Sequence, residues 1–275
     1  MSLQDLLKEA KAAEVADKSG NSLFLCLLGP SGAGKNHAIG TTGLKTLLIT
    51  FMGESHGVKS SRKEGGDNII PFFVDYVNDA TLDPDQTLAR LRSVLSNPQA
   101  LVDEGFKVIA LDGMSELDIC INNSNELKKQ CMTKMGKVDG FKTAGATKSI
   151  GNGIVKTLLS LQRQTGIHVL TTCIVDVREF GDRGEVIDCA PRLSTYGFAE
   201  SMLQMFADRV VVGPQTINDE RVYVFDSLTD LARASKTESG VVKKAFNFSP
   251  RLSSGVLPPI MRADLSKLIE IKEKG

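Results

Sequence analysis

One stretch constrains this 275-residue chain more than any other: an apolar run, Leu23 to Leu28, followed at once by Gly29-Pro30-Ser31-Gly32-Ala33-Gly34-Lys35-Asn36. The run reads as a buried strand, and the turn closes on Gly-Lys, the spacing of G-x-x-x-x-G-K-[ST]. Glycines let successive backbone N–H groups turn inward as an anion nest, and the following helix offers its N-terminus to the same anion. Gly29, Pro30, Ser31, Gly32, Ala33, Gly34, Lys35 and Asn36 are therefore the expected phosphate cradle, with Lys35 reaching the β/γ-phosphates. Asn36 departs from the pattern. It stands where Ser or Thr gives a hydroxyl to Mg²⁺.

A chain that opens this way has to build a sheet around the strand, and the rest of the sequence supplies one. Thr46 to Phe51, Phe106 to Leu111 and Ile167 to Val175 read as further buried strands, and Ile69 to Val74, with Pro71, as an edge strand. Helical patterns separate them: a short helix after Lys35 cut off by Gly40-Thr41-Thr42-Gly43, one from Pro84 with Asp83 as N-cap, and one from Ser149 to Gln164. Fully apolar strands alternating with helices imply a mostly parallel sheet covered on both faces. Asp208 to Gly213 and Arg221 to Phe225 read as an antiparallel hairpin near the C-terminus. The expected organisation is an amphipathic helix over 1–20, an α/β core over 21–230, and a C-terminal tail and helix over 231–275.

Ligands of such sheets lie at the carboxyl ends of the strands. Asp112 ends the third apolar strand, the place of a carboxylate that holds Mg²⁺ or its water, so Asn36 and Asp112 form the expected metal pair. Glu54 follows the strand after the loop helix and can polarise an attacking water; an exposed loop acid is the alternative. Thr172 sits inside an apolar run, as a polar sensor near the γ-phosphate or as a core residue bonded to backbone.

Formal net charge is zero, so a nucleic-acid contact has to use a local patch. Lys128, Lys129, Lys134, Lys137, Lys142 and Lys148 cluster among Gly and Thr in what reads as a loop or weak helices beside Phe141. They are either a solvated face or a contact to a phosphate backbone. Asp176 to Tyr196 reads as a long charged loop carrying Arg178, Arg183 and Arg192, the lid that a small P-loop kinase would need. The five cysteines lack C-x-x-C pairing and read as reduced core residues of a cytoplasmic protein. No apolar run approaches a bilayer span.

Leu27 to Lys35, Val108 to Leu117, Val169 to Thr172, Phe206 to Val211, and Arg251 to Pro259 with Ala263-Asp264-Leu265 together resemble the phage-encoded P-loop nucleotide-binding proteins with a minimal RecA core, related to the Sak-type single-strand annealing and recombination proteins. The resemblance spans roughly residues 22 to 270 and implies a RecA-like P-loop fold, ATP and Mg²⁺ as cofactors, single-stranded DNA as partner, and a homo-oligomer with its sites at subunit interfaces. A single-strand-binding protein would be a further partner, and host cytoplasm the location. Arg251 becomes a candidate finger acting on a neighbour's γ-phosphate. The expected activity is ATP hydrolysis coupled to single-stranded DNA. A non-hydrolysing nucleotide-dependent assembly module is the alternative that Asn36 keeps open, and a small P-loop kinase ranks below both.

Overall fold

The computed structural model describes residues 4–5, 8, 17–132, 139–180, 186–226, 231–236, 242–248 and 260–274, with backbone alone at 177–180, 186–189, 231–236 and 242–248. In chain order the elements are β1 (Phe24–Gly29), α1 (Lys35–Gly40), β2 (Thr46–Thr50), α2 (Ser55–Gly65), β3 (Ile69–Phe73), β4 (Tyr76–Val77), β5 (Ala80–Thr81), α3 (Pro84–Leu95), α4 (Pro98–Asp103), β6 (Val108–Asp112), α5 (Met114–Asn123) and α6 (Asn125–Cys131). They continue as α7 (Gly140–Thr165), β7 (His168–Phe180), β8 (Val186–Pro191), α8 (Tyr196–Met205), β9 (Asp208–Ile217), β10 (Glu220–Asp226), β11 (Leu231–Lys236), β12 (Val242–Phe248), β13 (Ile260–Arg262) and α9 (Leu265–Lys274).

The main sheet runs β3-β2-β6-β7-β1-β9-β10-β13, with β8 pairing to β7. All pairs from β3 through to β9 are parallel, and β10, β13 and β8 join antiparallel. This is an α/β architecture with a mostly parallel central sheet, helices on both faces and antiparallel strands toward the C-terminus.

β1, β2 and β6 are buried at every residue, as strands covered on both faces must be. Two apolar layers result. Phe24, Cys26 and Leu28 join α3, α5, α7 and α8 on one face, where Phe24 stacks on Phe206 with centroids 4.6 Å apart. Leu23, Leu25 and Leu27 face α1 and α9 on the other. Burying one such Leu or Phe contributes about 1.5–3 kcal/mol. The alternation along β1 is thus what anchors the loop that leaves its end.

The Asp83 cap is seen in full: its side chain accepts from the Gln86 N–H while Gln86 reaches back to the Asp83 N–H. Pro71 lies on edge strand β3 as expected.

Three expectations need correction. Glu54 does not lie in an exposed loop after β2, the alternative reading for it: Met52–Glu54 is a 3₁₀ turn and α2 begins at Ser55. The helix is hard to read because its buried face is Gly57, Val58 and Ser61, small residues that let it close on α1. A Cβ at Gly40 would stand 2.3 Å from the Ser61 carbonyl oxygen.

Of the two readings of the lysine-bearing segment, its described residues favour the helices, and the helix expected from Ser149 begins much earlier. Lys128 and Lys129 lie on α6, and α7 starts at Gly140, capped by Asp139, well before Ser149. Finally, β7 runs on to Phe180 and β8 returns beside it, so most of the supposed charged loop is a hairpin. Most of the expected N-terminal helix lies outside the described residues.

Candidate phosphate and cation site

The strand ends converge as parallel register requires. Thr50 on β2 pairs with Asp112 on β6, Leu111 with Thr171 on β7, and Leu27 on β1 with Thr172. Because β7 lies between β1 and β6, Thr172 stands between the Gly-rich turn and Asp112. A cavity of about 340 Å³ opens there, lined by residues 31–36, Glu54, Asp112, Glu116 and Thr172 among others.

The turn takes its shape from two residues at positive φ, Gly32 (74°) and Gly34 (92°), where side chains are strained. Gly29 is needed for a different reason: a Cβ there would meet the Val212 carbonyl oxygen at 2.4 Å. The Ala33 N–H donates to the Pro30 carbonyl, and no side chain caps the start of α1. The first N–H groups of a helix have no partner inside it, which leaves them for a ligand.

Lys35 is buried, and its ammonium donates to the carbonyls of Gly29 and Pro30, both at 2.8 Å. Burial pulls its pKa down, and the charges of Asp112 and Glu54 act against that.

Asp112 is 4% exposed, and each carboxylate oxygen has a donor. Thr172 Oγ1 donates to Oδ1 at 2.6 Å and Asn36 Nδ2 to Oδ2 at 2.8 Å. Burial pushes the carboxyl up, while these two bonds and Lys35 hold it down. Asn36 Oδ1, the other end of the same amide, is buried without a hydrogen-bond partner. Gly57 of α2 packs against this pair, since a Cβ on it would lie 2.0 Å from Asn36 Nδ2 and 2.9 Å from Asp112 Oδ2.

Glu54 ends the 3₁₀ turn half-buried, not as a free loop acid. Burial raises its pKa first, then the negative charges of Asp112 and Glu116, with Lys35 opposing. A carboxylate raised this way is a better proton acceptor near neutrality than an exposed one. Glu116, in the first turn of α5, was missed from the sequence. Its only signal was lying four residues past Asp112, a spacing that puts it over the same edge once β6 passes into a helix. Tyr223 on β10 was missed too; it comes to the cavity through the hairpin.

The structure therefore brings together residues 31–36, Glu54, Asp112 and Thr172. It does not bring the lysines there: Lys128, Lys129 and Lys142 are exposed on α6 and α7, and none lines the cavity. Lys134, Lys137 and Arg251 lie outside the described residues, as does Arg183. Arg192 is held by Asp176, through Nε and Nη2, rather than open to clamp a phosphate.

Cys26 and Cys173 are fully buried, and burial pushes the Cys26 thiol up to about 12. No group of three or more His, Cys, Asp or Glu suited to a metal occurs among the described residues. No described helix is long and apolar enough to cross a membrane. No protein-family model matches the chain, and no curated protein sequence matches it either.

Proposed function

We propose that this chain is a RecA-like P-loop ATPase that binds ATP with Mg²⁺ and acts on single-stranded DNA, in phage recombination, annealing or replication. The observation that carries the reading is the meeting of a Gly-rich turn, a buried lysine, a buried aspartate and a half-buried glutamate in one cavity at the carboxyl edge of a parallel sheet. Support for a RecA-like core comes from β7 standing between β1 and β6, from Glu54 following β2, and from the antiparallel β9-β10 pair.

The roles follow from the geometry. The turn and α1 hold phosphate oxygens through backbone N–H groups. Lys35 exchanges the two carbonyls it now holds for the phosphate oxygens beside them, and its charge offsets theirs. Thr172 fixes the Asp112 carboxylate. Glu54 accepts a proton from the attacking water.

A divalent cation fits the donors present. Asn36 Oδ1 is a buried carbonyl lacking a partner, and Asp112 is the buried carboxylate beside the same amide. Asn36 and Asp112 would hold the ion, and it would neutralise charge on the phosphates. The Asn36 N–H already occupies Asp112 Oδ2 and would compete with a cation for that oxygen, through a charged hydrogen bond of about 1.5–3 kcal/mol. That observation favours a second reading, nucleotide binding that sets assembly with little or no hydrolysis.

The DNA reading rests on exposed Lys128, Lys129, Lys142 and Lys148, with Phe141 95% exposed beside them. An exposed ring next to Lys142 on the same helix suits a base and its phosphate. Oligomerisation with Arg251 acting across an interface, a single-strand-binding partner and a cytoplasmic location rest on the resemblance.

Phosphate release by the purified chain with Mg-ATP, with and without single-stranded DNA, tests the reading. Release stimulated by DNA is expected. Nucleotide-dependent change in size without release would select the assembly module, and transfer to an acceptor without regard to DNA would select a kinase.

A further inference from the structure

The catalytic groups account for the phosphate end of the cavity and leave its other end unassigned. Glu54, Asp112 and Thr172 reach it from β2, β6 and β7, all on one side of β1. On the other side stand β9 and β10. There Tyr223 is the sole Phe, Tyr or Trp among the lining residues described.

Its position follows from the register. Phe225 pairs with Val212 and is buried under α1, in the layer with Ala38 and Ile39. Tyr223 is two residues earlier, so it points to the same face, one step farther along β10, opposite Pro214. β1 has ended by that level, at Gly29, whose Cβ position abuts Val212. The ring therefore projects past the sheet edge over the start of α1. A Cβ at Gly34 would lie 2.4 Å from the Tyr223 ring, and His37 of α1 lies 5.2 Å from it, tilted by 48°. His37 Nδ1 in turn lies 3.3 Å from Glu64 Oε1 on α2. Gly34 and His37 fix the ring from below and beside, while it stays half-buried and borders the cavity.

We propose that Tyr223 is the platform for the nucleobase, so that the ligand lies across the Gly-rich turn with its terminal phosphate toward Asp112 and Glu54 and its base toward β10. An aromatic face attracts any purine or pyrimidine by stacking, and a ring already held by its neighbours loses little freedom on doing so. The chemical class is a nucleoside polyphosphate. The inference rests on the nucleotide reading above.

Equilibrium binding of ATP and of inorganic tripolyphosphate to the full chain separates the two ends. Tyr223→Ala should weaken ATP about tenfold, the scale of one stacked base, and leave tripolyphosphate within about twofold. Tyr223→Phe should keep ATP within about twofold, since the ring face is retained. The chain has no tryptophan, so Tyr223→Trp creates a sole reporter. Its fluorescence should be quenched by ATP and not by tripolyphosphate. Parallel weakening of both ligands by Tyr223→Ala would mean the ring only props the turn and would overturn the inference. So would unchanged ATP affinity, or equal quenching by the two ligands. Tripolyphosphate binding as tightly as ATP in the wild type overturns the base platform alone. Failure of both to bind overturns the nucleotide reading and this inference with it.

Discussion

Under the proposed reading, Asn36 decides how the site would handle a cation. An amide where a hydroxyl is expected gives Asp112 a donor, and the Asn36 carbonyl has none in return. Replacing it by Thr removes the competing N–H and restores a hydroxyl at the start of α1. Asn36→Thr should raise the rate of phosphate release about tenfold, which corresponds to a barrier lower by about 1.4 kcal/mol; an unchanged or slower rate would remove Asn36 as the limit. Glu54 makes a separate prediction. As the proton acceptor, it should lose about 10²-fold or more in kcat on Glu54→Gln, the usual weight of a general base. ATP affinity, measured by equilibrium titration, should hold. A parallel loss of affinity would make Glu54 a binding residue instead.

Among the elements, α7 shows how helix length and packing are set. It spans 26 residues and packs on α8 through Gly151, where a Cβ would lie 2.3 Å from the Phe198 ring. Gly151→Ala should cost about 1–3 kcal/mol, the range for overpacking a tight core. Denaturant unfolding would read this as a lower midpoint with the same m-value, and an unshifted midpoint would show that Phe198 can move aside.

The strands were the legible part of the fold. Leu23 to Leu28, Thr46 to Phe51 and Phe106 to Leu111 are apolar nearly throughout, and burial on both faces demands that. Helices such as α2 were not. Its contact with α1 uses Gly57, Val58 and Ser61, and small residues leave no apolar period to read. The β7-β8 hairpin was hidden for another reason: charged residues in an antiparallel extension resemble a loop when their partner strand is unknown.

For the molecule as a whole, charge and proton balance give two further expectations. His168 is buried at the start of β7 and accepts the Leu23 N–H through Nδ1 at 3.1 Å. Burial lowers its pKa from 6.5 to about 4. Between those values the unfolded chain binds a proton that the folded chain refuses, so stability is full above pH 6.5, declines as pH falls from there, and loses no more from this group below about pH 4. The loss should be on the order of 2 kcal/mol by pH 4.5 from this group. Melting temperatures at pH 7 and 4.5 should diverge less in His168→Asn than in the wild type; equal divergence would put the acid sensitivity elsewhere.

If this formally neutral chain binds DNA through one patch, as proposed, its affinity has to show it in salt dependence. Changing Lys128 and Lys129 to Ala should reduce the slope of log affinity against log salt by about 1.4, roughly 0.7 for each phosphate of a single strand no longer neutralised. An unchanged slope would place the DNA elsewhere.

By itself the sequence determined the Gly-rich turn, the buried strands beside it and the carboxylates that could end them. Backbone nests and two-sided burial need particular residues at fixed local spacing, so they are written in short stretches. Only the tertiary structure decided which strand lies beside which. With β7 seated between β1 and β6, Thr172 and Asn36 take the two oxygens of Asp112, although they are 136 residues apart. The same long-range pairing carried Tyr223 to the mouth of the turn. Local spacing cannot encode such contacts, because they exist only after the sheet has chosen its order.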